Sequence, residues 1–205
     1  MPLGSLYIIS APSGAGKTSL ISQLIKQDPA IKVAISHTTR PMRDGEEDGK
    51  HYHFIKKDEF ENKIEQKSFL EYAQVFGNYY GTSHQSIDQQ LKSNHDIILE
   101  IDWQGAQQVR QLRPDAISIF ILPPSVQALE QRLYGRGQDS QSVIENRLQQ
   151  AHEDMSHYQE FDYILINDDF DTAVKDLASI FICQRMKLTK QQQRHQEFLI
   201  SITNS

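Results

Sequence analysis

The sequence holds one cysteine, Cys183, in 205 residues. An intrachain disulfide and a multi-cysteine zinc site are therefore excluded. Cys183 follows the apolar run Ile180-Phe181-Ile182 and is expected to face the core as a small hydrophobe rather than to act as a nucleophile. No basic residue precedes Lys17, so no signal peptide is expected. Long hydrophobic runs are also missing. A stretch such as Ile117–Leu122 falls far short of the roughly 20 apolar residues that span a bilayer. No membrane partner and a cytoplasmic location are the expectation. A basic field is lacking too: 21 Lys and Arg stand against 27 Asp and Glu, a net charge of −6, which argues against a general nucleic-acid binder. Small anionic substrates stay open, because a local arginine cluster binds phosphate on an acidic protein. Among the eight histidines the only metal-like spacing is His51 and His53, two apart on a strand and expected to face solvent.

The remaining composition, 38% hydrophobic and 23% charged, is that of an ordinary globular chain. Its length fits one large domain, or a core with small inserted subdomains, and buries about 70% of the unfolded surface without disulfide or metal. Strands are expected at 6–10, 33–36, 96–101, 117–122 and 163–167. These are apolar throughout rather than alternating, the pattern of a parallel sheet covered on both faces. Helices are expected at 18–26, 104–111, from the Ser125 cap to 134, at 140–158 and at 171–186, which makes an α/β open sheet. Between 37 and 94 the alternation breaks. There Asp58 is expected to cap a helix through Gln66, 69–76 to form a strand, 77–81 a turn and 86–93 a helix. This stretch reads as an inserted subdomain. The tail from Lys190 is Gln-rich at its start and is expected to be a solvated helix or a frayed end.

Between the first strand and the first helix stands Ala11-Pro12-Ser13-Gly14-Ala15-Gly16-Lys17-Thr18. It fits the phosphate-loop pattern at Gly16, Lys17 and Thr18, with Ala11 in place of the usual first glycine. Backbone N–H groups must point inward at a polyphosphate, and glycines let them do so without a Cβ in the way. The helix N-terminus adds about half a positive charge. Lys17 suits the β- and γ-phosphates, and the Thr18 hydroxyl suits Mg²⁺. The loop points to a nucleoside triphosphate with Mg²⁺ and leaves the reaction unspecified.

At the end of the second strand comes Ser36-His37-Thr38-Thr39-Arg40-Pro41-Met42-Arg43, whose two arginines can fork onto one phosphate. Then follow, in order, Gly49-Lys50-His51-Tyr52, Phe69-Leu70-Glu71-Tyr72, Gly77-Asn78-Tyr79-Tyr80-Gly81-Thr82, Asp102-Trp103-Gln104-Gly105, Gly135-Arg136-Gly137 and Asn167-Asp168-Asp169. With these motifs the chain resembles the guanylate kinase family, and specifically its bacterial members, over roughly 4–187. The resemblance implies a P-loop open parallel sheet with helices on both faces (4–36, 95–134 and 148–187), a GMP-binding insertion (37–94), a lid (135–147) and a separate tail (188–205). It implies Mg²⁺-dependent transfer of the ATP γ-phosphoryl group to GMP, giving ADP and GDP, in purine metabolism. ATP and GMP are then the partners, and a homo-oligomer stays open.

The residues carried over are these. Ala11 to Thr18, Arg132, Arg136 and Asn167 serve ATP, the last near the adenine. Arg40, Arg43, Tyr52 and Tyr80 hold the GMP phosphate, and Ser36, Glu71 and Thr82 read the guanine edge. Lys17, Arg43, Arg136 and Arg147 are the catalytic cations. Relatives often carry aspartate at both acidic positions before Trp103, whereas this chain has Glu100 and Asp102. Either approaches Mg²⁺ through water or contacts the GMP base or ribose, and both readings stay open. The residues support the guanine assignment on their own chemistry: guanine offers N1–H and N2–H₂ side by side, a donor pair that a carboxylate such as Glu71 matches and adenine lacks. Gly135 and Gly137 are expected to hinge the lid around Arg136. Two rival readings, a phosphopeptide-binding module of similar fold and a kinase for AMP or dTMP, are opposed respectively by the intact Lys17, Thr18 and arginine set and by Glu71 with Ser36 and Thr82.

Overall fold

The computed structural model describes residues 4–75, 77–135 and 141–203. In chain order the elements are β1 (Leu6–Ser10), α1 (Lys17–Gln27), β2 (Ile31–Val33), β3 (His37–Thr38), β4 (His53–Phe54), α2 (Lys57–Glu65), β5 (Phe69–Val75), β6 (Asn78–Ser83) and α3 (His84–Lys92). There follow β7 (Asp96–Glu100), α4 (Trp103–Leu112), β8 (Ile117–Leu122), α5 (Val126–Tyr134), α6 (Gln141–Ser156), a 3₁₀ turn (His157–Glu160), β9 (Tyr163–Ile166), α7 (Phe170–Arg185), α8 (Leu188–Arg194) and α9 (Gln196–Thr203).

Five strands pair in parallel in the order β2-β7-β1-β8-β9. β1 is central and wholly buried, pairing Leu6 with Ile97 on one side and Tyr7 with Ile117 on the other. Because successive strand residues point to opposite faces, β1 feeds two cores. Tyr7 and Ile9 pack with Leu20 and Leu24 of α1 and with Leu177 and Phe181 of α7. Leu6 and Ile8 pack with Ile87 and Leu91 of α3 and with Ala106 and Val109 of α4. Each fully buried Leu, Ile or Phe contributes about 1.5–3 kcal/mol.

β9 departs from the expectation of a strand covered on both faces. It is an edge strand: Leu165 is buried, but Ile164 and Ile166 are 48% and 50% exposed. β2 is also earlier than expected, ending at Val33. Ala34 still donates to Ile98 O, but the chain then leaves the first sheet, and Ser36 O accepts from His53 N in the second.

The residues between β2 and β7 build that second sheet, in the order β4-β3-β6-β5. Val75 pairs with Asn78, so Tyr79, Tyr80 and Gly81 lie within β6 rather than in the expected turn; Gly77, at φ 78°, supplies the left-handed backbone of the connection. The β5–β6 register shifts between Phe69 and Glu71. This irregularity buries Leu70 in the main core while Glu71 pairs with Thr82. Asp58 lies in the first turn of α2 instead of capping it; Lys56 is the N-cap, and Asp58 and Glu59 favour the helix dipole from inside. His53 leans on His37, ring centroids 4.8 Å apart, so it faces its neighbour strand, and of the pair only His51 is exposed.

Cys183 is exposed, against expectation. The buried positions of α7 are Ala173, Val174, Leu177, Phe181 and Gln184, and that helical phase turns Ile182 and Cys183 outward. The tail forms two helices, α8 and α9, with Phe198, Ile200 and Ile202 exposed. Among the described residues no helix is long and apolar enough to cross a membrane.

Candidate active site

The phosphate loop runs from the carboxyl end of central β1 into α1, where open α/β sheets present ligand sites. Gly14 and Gly16 take φ of 91° and 93°. Both backbones need glycine, and Gly16 needs it twice over: a Cβ there would stand 2.4 Å from Asn167 Nδ2. Asn167, 4% exposed, donates from Nδ2 to Ala15 O at 2.7 Å. Arg132 Nη2 donates to Asn167 O at 2.9 Å and Nη1 to Ala15 O at 3.4 Å. Asn167 and Arg132 thus brace the loop from behind through one carbonyl. Lys17 Nζ donates to Ile101 O at 3.3 Å, and Thr18 Oγ1 donates to Glu100 Oε1 at 2.5 Å, joining α1 to the end of β7.

A cavity opens beside this loop, lined by Lys17, Ser36, Tyr52, Glu71, Tyr80, Glu100 and Asp102 among others. Its floor is polar and ordered. Thr82 Oγ1 donates to Glu71 Oε1 at 2.5 Å and lies 2.8 Å from Ser36 Oγ; Glu71 is 3% exposed and Thr82 fully buried. Asp102 caps α4, its Oδ1 accepting from Gly105 N at 2.9 Å. At the rim the Arg40 guanidinium stands 5.6 Å from the Tyr52 ring centroid, and Tyr52 meets Tyr80 edge-on at 5.9 Å.

Arg43 and Arg147 are not among the residues that line this cavity. Arg43 is exposed, and its backbone N–H donates to Glu46 Oε2 at 2.8 Å. Arg147 lies half-buried on α6, one turn past Ile144, which packs with Leu129 and Leu133 of α5. Arg136 and Gly137 fall outside the described residues; Gly135 closes the end of α5.

Two carboxylates escaped the sequence reading. Glu46 grips Arg40 in a two-point pair, Oε1 accepting from Nη2 at 2.7 Å and Oε2 from Nη1 at 3.0 Å. Those bonds hold the Glu46 carboxyl down at about 2. Asp154, on α6, lines a second cavity with Ser13, Asp102 and Trp103. Burial first, and then Asp102, push its carboxyl up to about 6, while Lys17 and a bond from Trp103 pull the other way. Trp103 in turn stacks flat on His157, centroids 3.6 Å apart, and His157 Nδ1 lies 2.6 Å from Glu160 Oε1.

The family described as guanylate kinase matches residues 4–184. The guanylate kinase of Hydrogenovibrio crunogenus is 56% identical over 200 residues, 98% of this chain and 98% of its own length. That of Escherichia coli K12 is 56% identical over 197 residues, 95% of each chain. The chain belongs to the guanylate kinase family. A crystal structure of guanylate kinase from Anaplasma phagocytophilum superposes with a TM-score of 0.75 at 29% identity, covering 91% of this chain and 89% of that one.

The charges around this cavity are unevenly solvated. Burial pushes the Lys17 ammonium below its usual range, opposed by Glu100, Asp102 and Asp154. Burial pushes the Glu71 carboxyl up to about 7; Asp102 adds to the rise and the Thr82 hydrogen bond restrains it. The Thr18 hydroxyl and the Glu100 carboxylate it meets are hard oxygens of the kind Mg²⁺ takes. Among the described residues no three His, Cys, Asp or Glu side chains converge on a metal position.

Proposed function

We propose that this chain transfers the γ-phosphoryl group of ATP to GMP with Mg²⁺, in a cytoplasmic setting, and that Glu71 selects the acceptor. The observation that carries the reading is the hydrogen-bonded Ser36–Thr82–Glu71 chain, with Thr82 and Glu71 buried, opening into the same cavity as Lys17. A carboxylate so placed accepts from guanine N1–H and N2–H₂. Adenine would leave it unpaired, and sites built on such buried polar pairs discriminate by up to about 10⁴–10⁵-fold.

The phosphate side follows from Arg40. An arginine carries five N–H donors in a planar fork. Glu46 takes two of Arg40's and Pro41 O a third at 2.7 Å, which fixes the guanidinium in place. The rest of the fork, shared with the Tyr80 hydroxyl, is what the GMP phosphate would take, with Tyr52 beside it. Arg43 and the lid-side cations Arg136 and Arg147 are assigned to the phosphates by the family pattern. The acceptor phosphate is already anionic, so positioning and charge carry the chemistry and no general base is needed. Thr18, with Glu100 or Asp102 through water, would hold Mg²⁺, which supplies charge neutralisation at the phosphates when bound.

The test is ADP formation from ATP and Mg²⁺ with GMP, dGMP, AMP, dTMP and UMP as separate acceptors. GMP-dependent turnover well above the AMP, dTMP and UMP rates is expected. Turnover with AMP or dTMP but not GMP would overturn the role of Glu71, and a folded protein that turns over none of them would overturn the reaction.

Glu71 also makes GMP binding depend on pH. Guanine pairs with the ionised carboxylate, and in the free protein that carboxyl titrates at about 7. Below this value the competent fraction falls with pH, so the apparent Kd for GMP is expected to be roughly tenfold weaker at pH 6 than at pH 8. The GMP phosphate itself titrates near 6. Glu71→Gln removes the protein's share, and titration calorimetry on both proteins separates the two. A pH profile unchanged by Glu71→Gln would remove Glu71 from the linkage.

A further inference from the structure

Gly105 lies in the first turn of α4, is buried, and has no left-handed backbone to demand a glycine. The space its side chain would take is filled from across the cavity. A Cβ built there stands 2.9 Å from Glu71 Oε2, 3.3 Å from Ile101 Cδ1 and 3.4 Å from Ile101 Cβ. We propose that Gly105 is a specificity-determining residue: by lacking a Cβ it leaves room for Oε2 of the Glu71 carboxylate to sit against α4, where that oxygen is aligned for guanine. The proposal rests on the reading of Glu71 as the base-selecting group.

The two oxygens of Glu71 are held differently. Oε1 is fixed by the Thr82 hydroxyl, itself in contact with Ser36. Oε2 stands in the space that a Cβ on Gly105 would occupy, and the Thr82 backbone N–H adds a second bond to the carboxylate. Pairing with two adjacent guanine donors needs both oxygens, each at about 2.9 Å from its nitrogen. A methyl group at 105 requires about 3.4 Å or more to an oxygen, so Oε2 must retreat by about 0.5 Å. Ile101 closes off the other side of the methyl, and the carboxylate moves into the cavity. Half an ångström is about the tolerance within which a binding constellation must be held.

The fold tolerates the change better than the site does. The atom that gives way is the end of a side chain rather than backbone. Alanine also favours a helix over glycine, and Asp102 still caps the backbone N–H of residue 105. Gly105→Ala therefore separates recognition from stability.

The experiment compares wild type, Gly105→Ala, Glu71→Asp and the double variant, by steady-state kinetics with GMP and AMP, by KM for ATP and by thermal melting. For Gly105→Ala the KM for GMP is expected to rise roughly 10–100-fold, with a similar fall in the GMP-to-AMP ratio of kcat/KM. KM for ATP should stay within about twofold, and the melting temperature should not fall. In the Glu71→Asp background, whose shorter carboxylate stands back from α4, Gly105→Ala should add less than about threefold. Unchanged KM and selectivity in Gly105→Ala overturn the proposal. So does an equal loss in both backgrounds, which marks general damage to α4. A wild-type enzyme without preference for GMP refutes the reading of Glu71 itself, a result distinct from both.

Discussion

Lys17→Ala is expected to lower kcat for GMP phosphorylation by roughly 10³-fold or more, with the melting temperature nearly unchanged. The cation sits where ATP phosphates would meet the loop, one donor fixed on Ile101 O, with Glu100, Asp102 and Asp154 contributing to its field. Burial destabilises its charged form, so its removal relieves a desolvation cost while leaving those carboxylates without their cation. The two effects on stability oppose each other. In phosphoryl transfer nothing opposes the loss, because charge on the transferring group has to be offset at fixed positions. Lys17→Arg restores the charge as a planar fork on a longer stem and is expected to recover little, since the loop is shaped around a compact ammonium. Initial rates and melting curves on the three proteins decide this. A kcat within tenfold of wild type in Lys17→Ala would exclude Lys17 from the transition state.

How much of this was readable in advance depended on how local each signal was. The phosphate loop was legible because its residues are contiguous and lie between an apolar strand and an amphipathic helix. β1, β7 and β8 were legible because strands buried on both faces are apolar at every position. β9 looks the same in sequence, yet it ends the sheet, and only the strand order shows that Ile164 and Ile166 meet solvent. Cys183 follows three apolar residues that carry no period of their own; the phase set by Ala173, Leu177 and Phe181 turns it outward. Glu46 reads as one acid in a charged run. Its partnership with Arg40 depends on the tight return at Arg43, where Glu46 N–H donates to Arg43 O at 3.1 Å. Asp154 is one polar residue on a polar helix, brought to Asp102 and Trp103 by the packing of α6. The family pattern assigned Arg132 and Asn167 to ATP, and the structure finds both holding Ala15 O, a bracing role that spacing does not reveal.

Arg185→Ala is expected to cost about 3–5 kcal/mol of stability, because it strips the directly bonded counter-charge from a buried carboxylate. Asp96 opens β7 and its side chain is 4% exposed. Its Oδ1 accepts from Ser5 N at 2.7 Å and its Oδ2 from Arg185 Nε at 2.7 Å. Arg185 also reaches Asp28 at the end of α1, Nη1 to Oδ2 at 2.5 Å. One guanidinium thus ties α7 and α1 to the amino end of the sheet. For a chain of this size that loss corresponds to a fall in Tm of about 6–20 °C. Asp96→Asn combined with Arg185→Ala should recover a good part of it, because no buried charge is then left unpaired. A single-variant loss below about 1 kcal/mol would show that water replaces the arginine freely. The effect should also stop at stability. The anchor holds the amino ends of β1 and β7, whereas the phosphate loop, Glu100 and Asp102 leave from their carboxyl ends. Below its lowered Tm, Arg185→Ala is therefore expected to keep wild-type kcat and KM for GMP, the reverse of Lys17→Ala, and the pair of variants separates what holds the sheet together from what the sheet presents.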